Sequence, residues 1–244
     1  MRLLSLVALI LFSHMSVSAC ELELNGADRS QADKKRDLSS LPCQMNALLP
    51  VQPGNVVLDL LGGAGYFSEL LSQQVGANGK VYLHNNQAYL PYVEKQLRQR
   101  LEQNRLPNVV RFDAELDKLA LAPDSLDAVY FIMGYHDMYH VSEGWKIDPK
   151  QLMTQIYTAL KPGAKMLVVD HNASAGSGTA AAQELHRIEV SYVQQELQQF
   201  GFKLITSSDV LANSQDDYTK SVFDKTVRGK TDRFVLLLQK PVNL

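Results

Sequence analysis

The sequence predicts an α/β domain: a mostly parallel sheet of seven strands, helices on both faces, and an antiparallel strand pair at the C-terminal end. Three observations carry this. From Asn55 onward, strand-length apolar runs alternate with segments of helical period. The runs at 56–60 and 128–133 are almost continuously apolar, as strands covered on both faces are. The last two runs, 202–205 and 234–238, have no helical pattern between them, so they pair without a crossover. The other strands require right-handed crossovers, and no internal repeat or linker divides the chain.

The N-terminal segment reads as processing rather than fold. Arg2, the apolar stretch 3–12 and Val17-Ser18-Ala19 have the layout of an export signal, which assigns residues 1–19 to a signal peptide and the protein to the periplasm. Val17-Ser18-Ala19-Cys20 resembles a bacterial lipoprotein box, and that resemblance implies membrane attachment through an acylated Cys20. The competing reading is a Cys20–Cys43 disulfide, because an oxidising compartment permits one and these are the chain's two cysteines. The two exclude each other, and the box tips the expectation toward the anchor. Residues 20–50 read as a polar leader with one short helix. Its run Asp33-Lys34-Lys35-Arg36-Asp37 is expected to be a solvated face. The domain proper is expected over 51–244.

Strand one at 56–60 is followed by a helix marked by Phe67, Leu70, Leu71 and Val75, which Gly76 and Gly79 end. Strand two is 80–84, and a helix runs from Pro91 to about Arg105. Strand three is 109–112 and strand four 128–133. Leu152, Ile156 and Leu160 mark a helix ended by Lys161-Pro162-Gly163, and strand five is 166–170. Leu185, Ile188, Tyr192 and Leu197 then indicate one long helix before the final pair.

Composition narrows the function classes. With 24 Lys and Arg against 26 Asp and Glu, and no basic stripe, the chain has no electrostatic footprint for nucleic acid. A small molecule is the expected partner. The 45% hydrophobic content excludes disorder. No apolar run reaches the length of about 20 residues that a spanning helix needs.

Asp59-Leu60-Leu61-Gly62-Gly63-Ala64-Gly65 lies where strand one turns into a helix, a junction at which backbone approaches a ligand closely and helix amides point toward it. Asp113-Ala114 follows strand three, Pro123-Asp124-Ser125-Leu126-Asp127 leads into strand four, and Leu160-Lys161-Pro162-Gly163 precedes strand five. On this ordered set, residues 50–240 resemble the class I S-adenosylmethionine-dependent methyltransferases, whose sheet is Rossmann-like. The resemblance implies S-adenosyl-L-methionine as cofactor. Gly62, Gly63 and Gly65 would pass its amino-acid part, and Asp59 would hold the loop or meet the ammonium. Asp113, with Ala114 beside it, would accept from the adenine amino group. Two positions depart from the pattern. Leu61 stands where glycine is usual. Asn85 replaces the acidic residue that holds the ribose hydroxyls, and an amide bonds a hydroxyl without charge assistance. A narrower resemblance, on His136-Asp137, Asp170-His171-Asn172-Ala173, Leu185-His186-Arg187 and Thr231-Asp232-Arg233-Phe234, is to a subgroup of exported bacterial methyltransferases of unidentified substrate.

Ligands in open α/β sheets sit outside the carboxyl ends of the strands. Tyr135, His136, Asp137 and Tyr139 follow strand four; Asp170 and His171 follow strand five. His136 is the candidate general base, its tautomer set by Asp137 or Asp170, with His171 beside it. Arg187 is expected to pair with Asp170 or Asp137, and the tyrosines to line the pocket. A metal-assisted variant using His136, His171, His186 and an aspartate ranks second, so no metal is assigned. Two readings of function stay open: methyl transfer to a small-molecule acceptor, and a non-catalytic binding module on the same fold. A dehydrogenase fits the first loop but not the terminal strand pair.

Overall fold

The computed structural model describes Cys20 and residues 22–242; the expected signal at 1–19 lies outside the described residues. The alternation of strands and helices is as the apolar pattern requires. The strands are β1 (Val56–Leu60), β2 (Lys80–Asn85), β3 (Val109–Asp113), β4 (Leu126–Ile132), β5 (Leu160–His171), β6 (Lys203–Ser208) and β7 (Arg233–Gln239). They form one seven-stranded sheet in the order β3-β2-β1-β4-β5-β7-β6. Strands β1 to β5 run parallel, and β7 lies antiparallel to both β5 and β6. The expected terminal pair is therefore present, with β7 inserted between β5 and β6. Because β1 and β4 are central neighbours, the loops after them open side by side at one edge of the sheet.

Pleating divides the apolar residues between two cores. Val57, Val81, Tyr130 and Val169 face one side, covered by α2 (Pro42–Leu48), α3 (Tyr66–Val75) and α4 (Leu90–Leu101). Leu58, Leu60, Val129 and Val168 face the other, covered by α5 (Pro149–Ala159) and α7 (Val190–Gln199). Among the described residues, no helix is long and apolar enough to cross a membrane.

Three expectations need correction. The polar leader carries two helices, not one. It folds as α1 (Gln31–Ser40) and α2, separated by Leu41 in the left-handed region, with Met45 and Leu49 buried against the sheet. The two aspartates of its charged run are paired across the structure. Asp33 accepts from Arg100 at 2.9 Å, and Asp37 accepts from Arg29 at 2.7 Å and from the Tyr66 hydroxyl at 2.7 Å. Second, the long helix is two helices, α6 (Ala182–Leu185) and α7, because His186 takes φ 53° and no helix passes through that conformation. Third, Cys20 and Cys43 form a disulfide with a Cα–Cα distance of 5.3 Å. An acylated Cys20 could not make this bond, so the structure adopts the alternative to the anchor.

Candidate active site

The glycine loop begins where β1 ends. Leu61 at φ 51°, Gly63 at 61° and Gly65 at 79° turn the chain sharply into α3. Gly62 has no room for a side chain, since a Cβ there would lie 2.6 Å from the Asp59 carboxylate and 2.7 Å from Leu83. The strand-two end holds this turn from below. Asn85 is fully buried, accepting from the Gly63 amide at 3.0 Å and donating to the Gly63 carbonyl at 2.9 Å. Both ends of its amide are spent on the loop, so Asn85 positions the loop and does not present itself to a ribose. Asp59 is likewise turned inward. It accepts from Ser68 Oγ at 2.6 Å, and burial pushes its carboxyl up to about 6 despite that bond. It braces the start of α3 and does not face the crevice.

His84 is the residue the sequence reading passed over. Its Nδ1 accepts from the Leu61 amide at 3.3 Å and its Nε2 donates to the Ala114 carbonyl at 2.9 Å. Burial holds it neutral, with its pKa lowered to about 4. One imidazole thus ties the glycine loop to the loop after β3. The only signal for it was a histidine at the end of an otherwise apolar strand. Asp113 accepts from Arg111 Nε at 2.6 Å through one carboxylate oxygen. Its other oxygen, Oδ1, is buried without a partner among the described residues. That orphan acceptor, beside a loop whose Ala114 amide donates to the Asn85 carbonyl at 3.0 Å, suits a ligand's amino group.

On the neighbouring side, the chain leaves β4 through Met133 at φ 60° and enters a single 3-10 turn, His136–Tyr139. Asp170, at the end of β5 and fully buried, fixes this turn. It accepts from the His136 amide and from His136 Nδ1, both at 2.8 Å, and from the His171 amide at 2.7 Å. His136 Nε2 lies 3.2 Å from Asp137 Oδ1. Burial opposes the imidazolium, but the two carboxylates outweigh it and raise the His136 pKa to about 10. His136 is therefore not the free neutral base expected from its position; both ring nitrogens are engaged. The same pairing, with His186 Nδ1 at 3.8 Å, holds Asp137 below the usual carboxylate range although burial works the other way. His171 Nδ1 pairs with Thr231 Oγ1 at 2.7 Å, and burial lowers its pKa to about 3, leaving it neutral.

Two other assignments change. Arg187 is fully buried and pairs bidentately with Asp216, at 2.8 and 3.1 Å, not with Asp170 or Asp137. Tyr135 and Tyr139 do not line the pocket. Their hydroxyls donate to Glu196 of α7, Tyr135 at 2.6 Å, and so bolt the His136 turn to that helix.

His136, Asp137, His171 and His186 converge on one cavity of about 670 Å³, whose other walls include Tyr89, Trp145 and Phe223. Tyr89 joins the two halves of the site. Its ring approaches Gly63 on one side, at 3.5 Å from where a Cβ would be, and packs edge-on against Trp145 on the other.

A glycine loop after β1, an acceptor after β3 and a crevice after β4 and β5 are set on a Rossmann-like sheet of the methyltransferase fold. Comparison with known proteins finds methyltransferases as relatives and as neighbours in fold. Residues 58–168 match the methyltransferase domain family. A ubiquinone/menaquinone biosynthesis C-methyltransferase of Marinomonas sp. is 26% identical over 170 residues, which is 69% of this chain and 58% of that protein. The chain spans about half the length of the curated relatives it matches. The crystal structure of a SAM-dependent methyltransferase from Aquifex aeolicus superposes with a TM-score of 0.62 at 18% identity, covering 86% of this chain and 95% of that one. Phosphoethanolamine N-methyltransferase 2 of Haemonchus contortus, in complex with S-adenosyl-L-methionine, gives a TM-score of 0.57 at 16% identity, covering 81% and 51%. S-adenosylmethionine is the cofactor of this class. The residues present fit it through the unpartnered Asp113 oxygen and the bare glycine loop, and depart from it where Asn85 is closed.

Proposed function

We propose that the chain transfers the methyl group of S-adenosylmethionine to a small-molecule acceptor in an exported compartment. The observation that carries this is a cavity lined by the titratable groups at the ends of β4 and β5, one wall of which, Tyr89, also lies against Gly63 of the glycine loop. Bound S-adenosylmethionine supplies an electrophilic methyl carbon on sulfur: the acceptor's lone pair forms the new bond to carbon while the sulfur–carbon pair stays on sulfur. The protein must hold the acceptor in line and remove its proton. The array Asp170–His136–Asp137 is assigned that proton. Asp170 fixes Nδ1; Nε2, protonated while it faces Asp137, must first give up that proton by way of Asp137 before it can take the acceptor's. Tyr89, Trp145 and Phe223 provide flat apolar walls, which suit a planar acceptor. The Cys20–Cys43 disulfide supports an oxidising compartment, as does the signal-like N-terminus.

Two variants test the division of labour. His136→Ala is expected to leave cofactor binding intact while lowering turnover by about 10²–10⁴-fold. Asp113→Ala is expected to weaken binding of S-adenosylmethionine by about 1–3 kcal/mol through loss of one buried acceptor. Calorimetric titration of the folded chain with the cofactor and its demethylated product is the first measurement. No heat at millimolar ligand refutes the methyltransferase reading and favours a binding module, which the closed Asn85 already gives some physical basis.

A further inference from the structure

We propose that His136, Asp137 and His186 form a binding site for a divalent transition-metal cation of the zinc type. One potential ligand atom from each residue lies within 4.8 Å of the others. Asp137 Oδ1 sits at the centre, 3.2 Å from His136 Nε2 and 3.8 Å from His186 Nδ1. Tetrahedral coordination with bonds of 2.0–2.2 Å places ligand atoms roughly 3.3 Å apart. The cluster is thus within small side-chain adjustments of that geometry.

The surroundings are those of a metal-binding histidine. Asp170 accepts a hydrogen bond from His136 Nδ1 at 2.8 Å, which leaves Nε2 facing Asp137, and Asp170 is itself fixed by two backbone amides. A carboxylate behind the imidazole is the usual means of orienting such a ligand and setting its tautomer. His186 reaches the cluster through a left-handed backbone, φ 53°, uncommon for a residue with a side chain. The next residue, Arg187, is buried on Asp216. Two nitrogens and one carboxylate oxygen favour zinc-like ions over magnesium or calcium, which prefer all-oxygen sets. Three protein ligands leave a position open toward the cavity, the layout of catalytic rather than structural metal sites. His171 is outside the set, committed to Thr231 and with its ring 6.1 Å from that of His136.

A cation there would acidify an acceptor hydroxyl placed on its open position, replacing direct proton transfer to His136. That role rests on the methyltransferase reading; cation binding does not.

The test reads binding alone. The full chain, stripped with a chelator, is titrated calorimetrically with Zn²⁺, and Co²⁺ is followed by its visible absorption. One cation per chain is expected. Asp137→Asn and His186→Gln should each weaken Zn²⁺ binding by at least about tenfold, and Asp170→Asn by about 10–100-fold, while His171→Gln stays within about threefold of the parent. Circular dichroism and thermal melting establish that each variant is folded, and the Co²⁺ spectrum of the parent supplies a ligand signature that needs no variant. Absence of Zn²⁺ uptake by a folded chain overturns the proposal, as does binding that survives both Asp137→Asn and His186→Gln. Because turnover is not measured, failure of the methyltransferase reading and failure of the cation site give different results.

Discussion

At the scale of single residues, the polar groups beneath the glycine loop are braces, each with a measurable signature. Asp59 is the clearest. Its folded pKa, about 6, is raised above the 3.8 of a free aspartate, so folding favours the protonated form. The stability this group contributes is complete below about pH 4 and is lost as pH rises through 6. A shift of that size corresponds to an upper limit of about 3 kcal/mol. Asp59→Asn keeps an acceptor for Ser68 and removes the charge. The variant is expected to gain stability relative to the parent between pH 4 and 8 in urea unfolding, with the difference levelling off above 7. A difference that stays constant across this range would show that Asp59 is ionised at little cost, as Arg36 and Arg100 tend to make it. Asp59 was legible in the sequence as a loop-holding residue. The alternative contact, with the cofactor's ammonium, was not excluded there because nothing in the local pattern shows that Ser68 claims the carboxylate.

Elements position the site through contacts that connect distant parts of the chain, and this is where sequence reading stopped. The strands were readable because burial on both faces leaves a nearly continuous apolar run. His186 broke an otherwise helical pattern without glycine or proline to mark it. In the sequence Arg187 has Asp170 and Asp137 as its plausible partners, whereas Asp216, which it pairs with, lies in the long connection before β7. The tyrosines of the β4 loop looked like pocket lining because Glu196, their acceptor, sits in the middle of α7. The tie between β1, β2 and β3 depends on His84, which joins the Leu61 amide to the Ala114 carbonyl. Its folded pKa, about 4, lies below the 6.5 of a free histidine, so protonation opposes folding. The stability gained by keeping it neutral is present above pH 6.5 and lost as pH falls toward 4. His84→Gln retains a donor and an acceptor without titrating. The acid limb of the stability profile between pH 6.5 and 4 should flatten by roughly 3 kcal/mol, and cofactor affinity should fall because the two loops are no longer held at one spacing. An unchanged acid limb would show that the imidazole is solvated in the folded chain.

For the molecule as a whole, the segment 22–50 is part of the folded body. Arg100 links α4 to Asp33 of α1, to Glu69 of α3 and to the Ala64 carbonyl of the glycine loop, while Arg233 of β7 donates to the Ser39 carbonyl at 2.8 Å. The leader is therefore linked through Arg100 to the glycine loop, and the disulfide fastens its beginning. Cys20 and Cys43 are 23 residues apart, and closing a loop of that length removes unfolded-state entropy equivalent to about 3 kcal/mol. Cys43→Ser, or reduction of the parent, is expected to lower stability by about that amount, with a corresponding fall in melting temperature of roughly 6–12 °C for a domain of this size. Because α1 reaches the glycine loop through Arg100, S-adenosylmethionine affinity should weaken in parallel. A fall in stability with unchanged affinity would confine the effect to the unfolded chain. Labelling of Cys43 by a thiol reagent in the oxidised, folded protein would instead show that the bond is absent, reopening acylation of Cys20 as the fate of its sulfur.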